Sequence, residues 1–294
     1  MPELAVVTPT FRGDAEVFAD CHRSVLAFTP PGTVHHIYVP ARDRARFAAE
    51  YEGPRCRVYD RSELLPRRYV RAPLTDLYVN IRRPWPPLRG WVMQQTSKLA
   101  AAGQSDADVV LLIDSDAILV RPVEPQRFVA DGKVSLYRVA NGVTAGMKRH
   151  VIWHRVAREL LGLPPAPPPP LPDYIGPIAL WSPATVRALQ QHIEGVTGQS
   201  WLEVFNSQPH ISEFILYGVF AEESAGPDAA QMPTVSDICH NYYDVTPMTA
   251  AEAVAFAERI GTEAIAMMIS SKSHTPADAR QAAIRRCMEV VRST

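Results

Sequence analysis

The sequence predicts an α/β fold: a mainly parallel central sheet flanked by helices, organised as a single domain. Three observations carry that prediction. Short apolar runs alternate with helical spacings through the first 60 residues, the rhythm that lays parallel strands side by side. Val109-Val-Leu-Leu-Ile113 is apolar on both faces and rich in β-branched residues, as a central parallel strand is. No internal repeat or composition break divides the 294 residues, a length that one α/β domain accommodates.

The elements follow in order. Leu4–Thr8 is a buried strand closing at Thr-Pro-Thr, a turn signal. Asp14–Ala27 has helical spacing, with Val17, Phe18, Cys21, Val25 and Leu26 on its apolar side. Val34–Val39 reads as a second strand, Arg42–Tyr51 as a second helix and Arg57–Tyr59 as a third strand, while residues 60–87 are less regular. Gly90–Ala102 reads as a helix stopped by Gly103. After Val109–Ile113, further strands are expected at 134–137, 178–181 and 264–269. Helices are expected at His150–Leu161, Pro183–His192, Ser212–Phe220, Ala250–Arg259 and Asp278–Arg292. Two proline runs, Arg83–Leu88 and Leu163–Pro172, lack backbone donors and have fixed φ, so polyproline II is expected there instead of helix or central strand. Both read as stiff surface connectors, the second beside a cleft.

Composition bounds the partners. Hydrophobic residues at 47% and charged residues at 21% exclude a wholly disordered chain. Lys plus Arg (30) nearly balances Asp plus Glu (31), so no global field favours nucleic acid or an anionic membrane. An anionic ligand therefore needs a local site. No window reaches the roughly 20 apolar residues of a membrane span, and no basic segment precedes the first strand. Cys21, Cys56, Cys239 and Cys287 are scattered, without metal-finger spacing. A reduced, cytoplasmic protein is the expectation.

Chemistry concentrates at Asp114-Ser-Asp116. Ligands of open α/β sheets bind beyond the carboxyl ends of the strands, where this pair stands. In extended backbone, residues two apart point the same way, so both carboxylates can face one ion. Hard oxygen donors suit Mg²⁺ or Mn²⁺, which also bridges diphosphate oxygens and stabilises a departing diphosphate as a Lewis acid.

VVLLIDSDAILVRP resembles the DxD segment of GT-A glycosyltransferases, and AVVTPTFRGD resembles their first strand and nucleotide-binding turn. GWVMQQTSKLAAA, LIDSDAILVRP, DYIGPIALWSP, SEFILYGVF and ISSKSHTP, in that order, resemble a bacterial family known as an uncharacterised glycosyltransferase-like domain. The resemblance spans most of residues 4–276. It implies a Rossmann-like GT-A fold, with residues 1–120 holding the nucleotide and 121–294 the acceptor and a C-terminal helix. It also implies transfer of a sugar from a nucleotide-sugar donor, UDP-sugar favoured, to a hydroxyl of a small-molecule or glycan acceptor, with Mn²⁺ or Mg²⁺.

Residue by residue, the metal would sit on Asp114 and Asp116, completed by His274, with His240 as its rival. Donor contacts would come from Thr8, Thr10, Arg12, Gln94, Lys98, Ser115, Lys272 and Ser273, with Lys98 neutralising a phosphate. Tyr174 and Trp181 would meet the acceptor. Glu213 would be the general base, with Asp173 as the alternative. Plainer roles compete: Thr-Pro-Thr as a turn, Gln94 and Lys98 as a solvated helix face, and Glu213 as a helix N-terminal carboxylate. Among other classes, a nucleotidyltransferase would open with a Gly-rich loop, and VTPTFRGD holds one Gly. A dehalogenase-type phosphatase carries its Asp pair near the N-terminus, and a non-catalytic binding domain would keep the fold without turnover.

Overall fold

A computed structural model describes residues 2–72, 75, 77–225 and 233–293. Leu4–Pro9 is buried at all six positions and Val109–Ile113 at all five, as runs without a polar alternation must be when both faces are covered. Together they form the middle of a five-stranded sheet ordered Ile178–Trp181, Val109–Ile113, Leu4–Pro9, Val34–Val39, Cys56–Asp60. Helices Ala15–Phe28, Ala41–Tyr51 and Gly90–Gln104 pack on it.

The sheet is mixed. Three of its pairings are parallel, but Ile178–Trp181 runs antiparallel to Val109–Ile113. The chain reaches this edge from the carboxyl end of the central strand, where the Asp114 amide donates to the Pro177 carbonyl (2.9 Å), and then runs back. Residues 173–177 are thereby brought to the ligand end of the sheet.

A second sheet, ordered Cys239–Tyr242, Ala266–Ile269, Ala117–Leu119, stands beside helices Ala250–Glu258 and Ala277–Ser293. It has its own hydrophobic cluster, including Ile118, Val120, Phe256, Met267, Ile269 and Cys287. The chain passes from one sheet to the other through a turn closed by Ala117 N–H donating to the Asp114 carbonyl (3.0 Å). Asp114-Ser-Asp116 is that turn. The expectation of extended backbone at the pair is therefore corrected, because the chain changes sheets there.

Residues 60–87 hold more order than their composition suggested. Tyr69–Arg71, Tyr78–Asn80 and Arg83–Leu88 form a three-stranded antiparallel sheet. The proline-rich Arg83–Leu88 is a strand and not a polyproline segment; it lies at the sheet edge, where a missing donor faces away from the ladder. The strand expected at 134–137 divides at Ser135, whose amide turns to Phe128, so Lys133–Val134 and Leu136–Tyr137 pair with different partners. A short helix, Trp201–Asn206, lay outside the expected elements. The second proline run is largely exposed and feeds Leu171–Asp173, which pairs with Val139–Val143. All four cysteines are free, and among the described residues no helix is long and apolar enough to cross a membrane.

Candidate active site

The aspartate turn is held from three sides. From helix Gly90–Gln104, Lys98 Nζ donates to Asp114 Oδ1 (2.9 Å). From the loop after Ala266–Ile269, the Ser271 amide donates to Asp116 Oδ2 (2.6 Å). From the start of helix Ala15–Phe28, Asp14 Oδ2 accepts from Ser115 Oγ (2.9 Å). Antiparallel pairing of Ala266–Ile269 with Ala117–Leu119 is what carries residues 270–275 back to Asp116. Arg280 fixes that loop by donating to the carbonyls of Ile269 and Ser270 (2.7 Å each) and of Thr275 (3.3 Å).

Lys98 is the electrostatic centre. It is 8% exposed, pairs with Glu213 Oε1 at 3.3 Å as well as with Asp114, and lies 4.4 Å from the Phe214 ring centre. Burial by itself would lower its pKa, but the charges of Asp114 and Glu213 outweigh that and raise it, keeping the ammonium charged. Burial raises the Glu213 carboxyl, with Lys98 opposing. Asp116 is raised by burial and by the negative charge of Asp114, with Ser271 opposing. Asp14 is raised by burial too, Ser115 opposing and the Asp114 charge adding to it. Asp14, Asp114 and Asp116 are thus like charges within reach of one another, and Asp14 is a site member that the sequence showed only as a helix-start residue.

Beside this turn lies a cavity of about 560 Å³ lined by Asp14, Gln94, Ser271, Lys272, His274 and Arg280, among others. Its volume is that of a small-molecule site. Lys272 and His274 are exposed at its wall, His274 with positive φ (53°) at the end of the Ser271–Ser273 turn. Arg12 stands at the opening segment, 54% exposed, with Nε on Asp43 Oδ1 at 2.7 Å. A second cavity of about 800 Å³, lined by Ala5, Val7, His36 and Tyr38, holds none of these groups.

Several expected contacts lie elsewhere. Thr8 is fully buried, its hydroxyl 2.9 Å from His35 Nε2. Ser273 is fully buried and serves its own turn, bonding Ser270 and Thr275. Trp181 is core, stacked on Tyr217 with centroids 4.5 Å apart, because Ile178–Trp181 is an inner-facing edge of the main sheet. Tyr174 is buried against Gly218, and its hydroxyl donates to Glu222 (2.5 Å). None of these four lines the cavity beside the aspartate turn. Lys98 is enclosed by two carboxylates, and Glu213 is 5% exposed on Lys98 instead of opening into a cleft. His240 stacks on Phe256, and its Nε2 bonds the Phe256 carbonyl (2.8 Å). Thr10 is buried with its hydroxyl unpartnered among the described residues. Asp173 is half-buried, with Oδ1 accepting from the Ile175 amide (3.1 Å).

Two carboxylates stand on one turn, hard oxygen donors of the kind that a divalent cation takes. Among the described residues no three His, Cys, Asp or Glu side chains form a ready-made metal cluster.

No curated protein matches the chain. Among solved structures it is similar to the galactosyltransferase LgtC in complex with donor and acceptor sugar analogues, at 12% identity over 98% of this chain and 95% of that one, with a TM-score of 0.46. An active-site mutant of LgtC gives 13% identity, the same coverage and a TM-score of 0.44. The model of DUF6492, described as a family of unknown function, matches residues 5–280, and the chain belongs to that family.

Proposed function

We propose that the protein is a GT-A glycosyltransferase that moves a sugar from a nucleoside-diphosphate donor, UDP-sugar favoured, to a hydroxyl of a small-molecule or glycan acceptor. One observation carries the reading: two carboxylates on the turn that ends the central strand, beside a cavity of about 560 Å³ with Lys272 and His274 exposed at its wall. Asp114 and Asp116 would hold Mn²⁺ or Mg²⁺, which when bound neutralises charge on the leaving diphosphate. Lys272 and His274 supply exposed polar contacts for that diphosphate, with Gln94, Arg12, Thr10 and Ser115 around the donor. Because Lys272 and His274 follow residue 121, the donor site draws on both halves of the chain. Asp173, half-buried at the ligand end of the sheet, takes the general-base role in place of Glu213, whose carboxylate is committed to Lys98.

The test is thermal unfolding with UDP, with and without Mn²⁺. Ligand at about 100 times its Kd stabilises by roughly 2.7 kcal/mol, and this shift is expected only when the metal is present. Asp116→Asn removes one charge at nearly constant shape and is expected to abolish the metal-dependent part. A shift of equal size with or without metal, or in Asp116→Asn, refutes the assignment.

A further inference from the structure

Trp91 opens helix Gly90–Gln104 and remains 38% exposed. Its ring stacks on Trp153, centroids 5.7 Å apart and planes 24° apart. The Arg149 guanidinium lies 4.9 Å from the Trp91 ring centre and 5.3 Å from that of Trp153. His150 adds a further ring 4.7 Å from Trp153. Arg149 is exposed and, among the described residues, forms no ion pair with a carboxylate. Trp153 is buried, yet its indole N–H has no partner among the described residues.

Fold stability does not account for these choices. Lys148 and Arg149 occupy the first turn of helix Lys148–Leu160, where the helix field disfavours cations. A large exposed indole gains little from water either. Their position relative to the site is informative. Trp91 and Lys98 are seven residues apart, two helical turns, so they share a face and are separated by about 10 Å along the axis. Lys98 touches Asp114. On the other side, His154 Nε2 bonds the Pro172 carbonyl (2.8 Å), and the Asp173 charge acts on His150. Trp91 thus shares its helix with Lys98, and Trp153 stands on a helix tied by His154 to the residue before Asp173.

We propose that Trp91, Trp153 and Arg149 form a subsite for an acidic saccharide, holding an acceptor unit beyond the one that reacts. This rests on the glycosyltransferase reading. The electron-rich indole face accepts the C–H face of a pyranose ring. A guanidinium stacked on aromatic rings keeps its N–H edge for a carboxylate or phosphate, which it binds bidentately. Both anions share that chemistry, so both are tested.

Titrations followed by tryptophan fluorescence would use tetragalacturonate against its fully methyl-esterified form, and mannose 6-phosphate against mannose. At least one acid is expected to bind the wild-type protein about tenfold or more tightly than its uncharged counterpart, an increment typical of one charge-assisted pair. Arg149→Gln is expected to erase that preference, and Trp91→Ala to weaken charged and uncharged probes alike. No saturable binding by either acid, or unchanged affinities in both variants, overturns the subsite. The same wild-type protein titrated with UDP and Mn²⁺ separates the two claims. UDP binding without saccharide binding removes the subsite and leaves the transferase; saccharide binding without UDP binding does the reverse.

Discussion

Replacing Lys98 by Met keeps the length of the side chain and removes only the ammonium, so it isolates what that charge does. In the folded protein the change leaves Glu213, 5% exposed, without its cation, and also forfeits the contact over Phe214. Breaking a buried ion pair at one end costs about 3–5 kcal/mol. Glu213 has an escape, because burial already favours its protonated form. The cost then falls toward that of an unpaired buried polar group, about 1–3 kcal/mol. Between these limits we expect Lys98→Met to lose about 2–4 kcal/mol, or roughly 3–6 °C in Tm for a chain of this size. Glu213→Gln alone should lose less, since Lys98 keeps Asp114, which is 42% exposed and partly solvated. The double variant Lys98→Met/Glu213→Gln removes both charges together and should be more stable than the sum of the single losses by about 1–2 kcal/mol. Urea unfolding at pH 7 of all four proteins measures the cycle. If Lys98→Met unfolds within about 0.5 kcal/mol of wild type, the scale of an ordinary surface change, and UDP affinity falls, the lysine serves a phosphate and the clasp is refuted.

Acid should destabilise the fold in a defined window. His35 is fully buried, and burial, with His22 and His36 adding, holds its pKa well below the ordinary 6.5; His22 is lowered mainly by burial. The unfolded chain accepts protons near pH 6.5 that the native imidazoles refuse, so stability rises with pH through that region and is lost as pH falls below it. The slope is about 1.4 kcal/mol per pH unit for each histidine, and His35→Gln should flatten it; identical urea midpoints at pH 7.5 and 5.5 would contradict this. Gly218→Ala places a Cβ 2.2 Å from the Tyr174 ring, which Glu222 and its own burial hold in place. A loss of about 1–3 kcal/mol is expected by thermal unfolding, and an unchanged Tm would mean that Tyr174 moves freely.

The elements were legible where one physical signal dominated. Val109–Ile113 and Ile178–Trp181 are apolar without interruption, and both form strands over the expected residues. Direction was not legible, because an apolar run carries no information about which way it crosses a sheet. The meander at residues 69–88 was hidden by prolines, which an edge strand tolerates and a central one does not.

Side-chain roles divided along a different line. Position relative to a strand end is a local property, and Asp114 and Asp116 stand half-buried just past the end of Val109–Ile113. Facing is not local. Trp181 is carried into the core by the backward run of Ile178–Trp181, and Tyr174 is buried against Gly218 and Glu222 of helix Glu213–Glu223. Lys98 shows the same principle with charge. A helical lysine is ordinarily solvated, and burying one requires compensating carboxylates, here from residues 16 and 115 positions away. Those partners converge only because helix Glu213–Glu223 begins at the Gln95 side chain, which accepts from the Glu213 amide (3.1 Å). Asp14 was missed for the same reason: its partner Ser115 is 101 residues distant. A sequence shows which residues carry charge, whereas which charges must share a dielectric is settled only once distant elements pack. The residues that were legible at this site stand on the rim, and those that were not form the buried electrostatics supporting it.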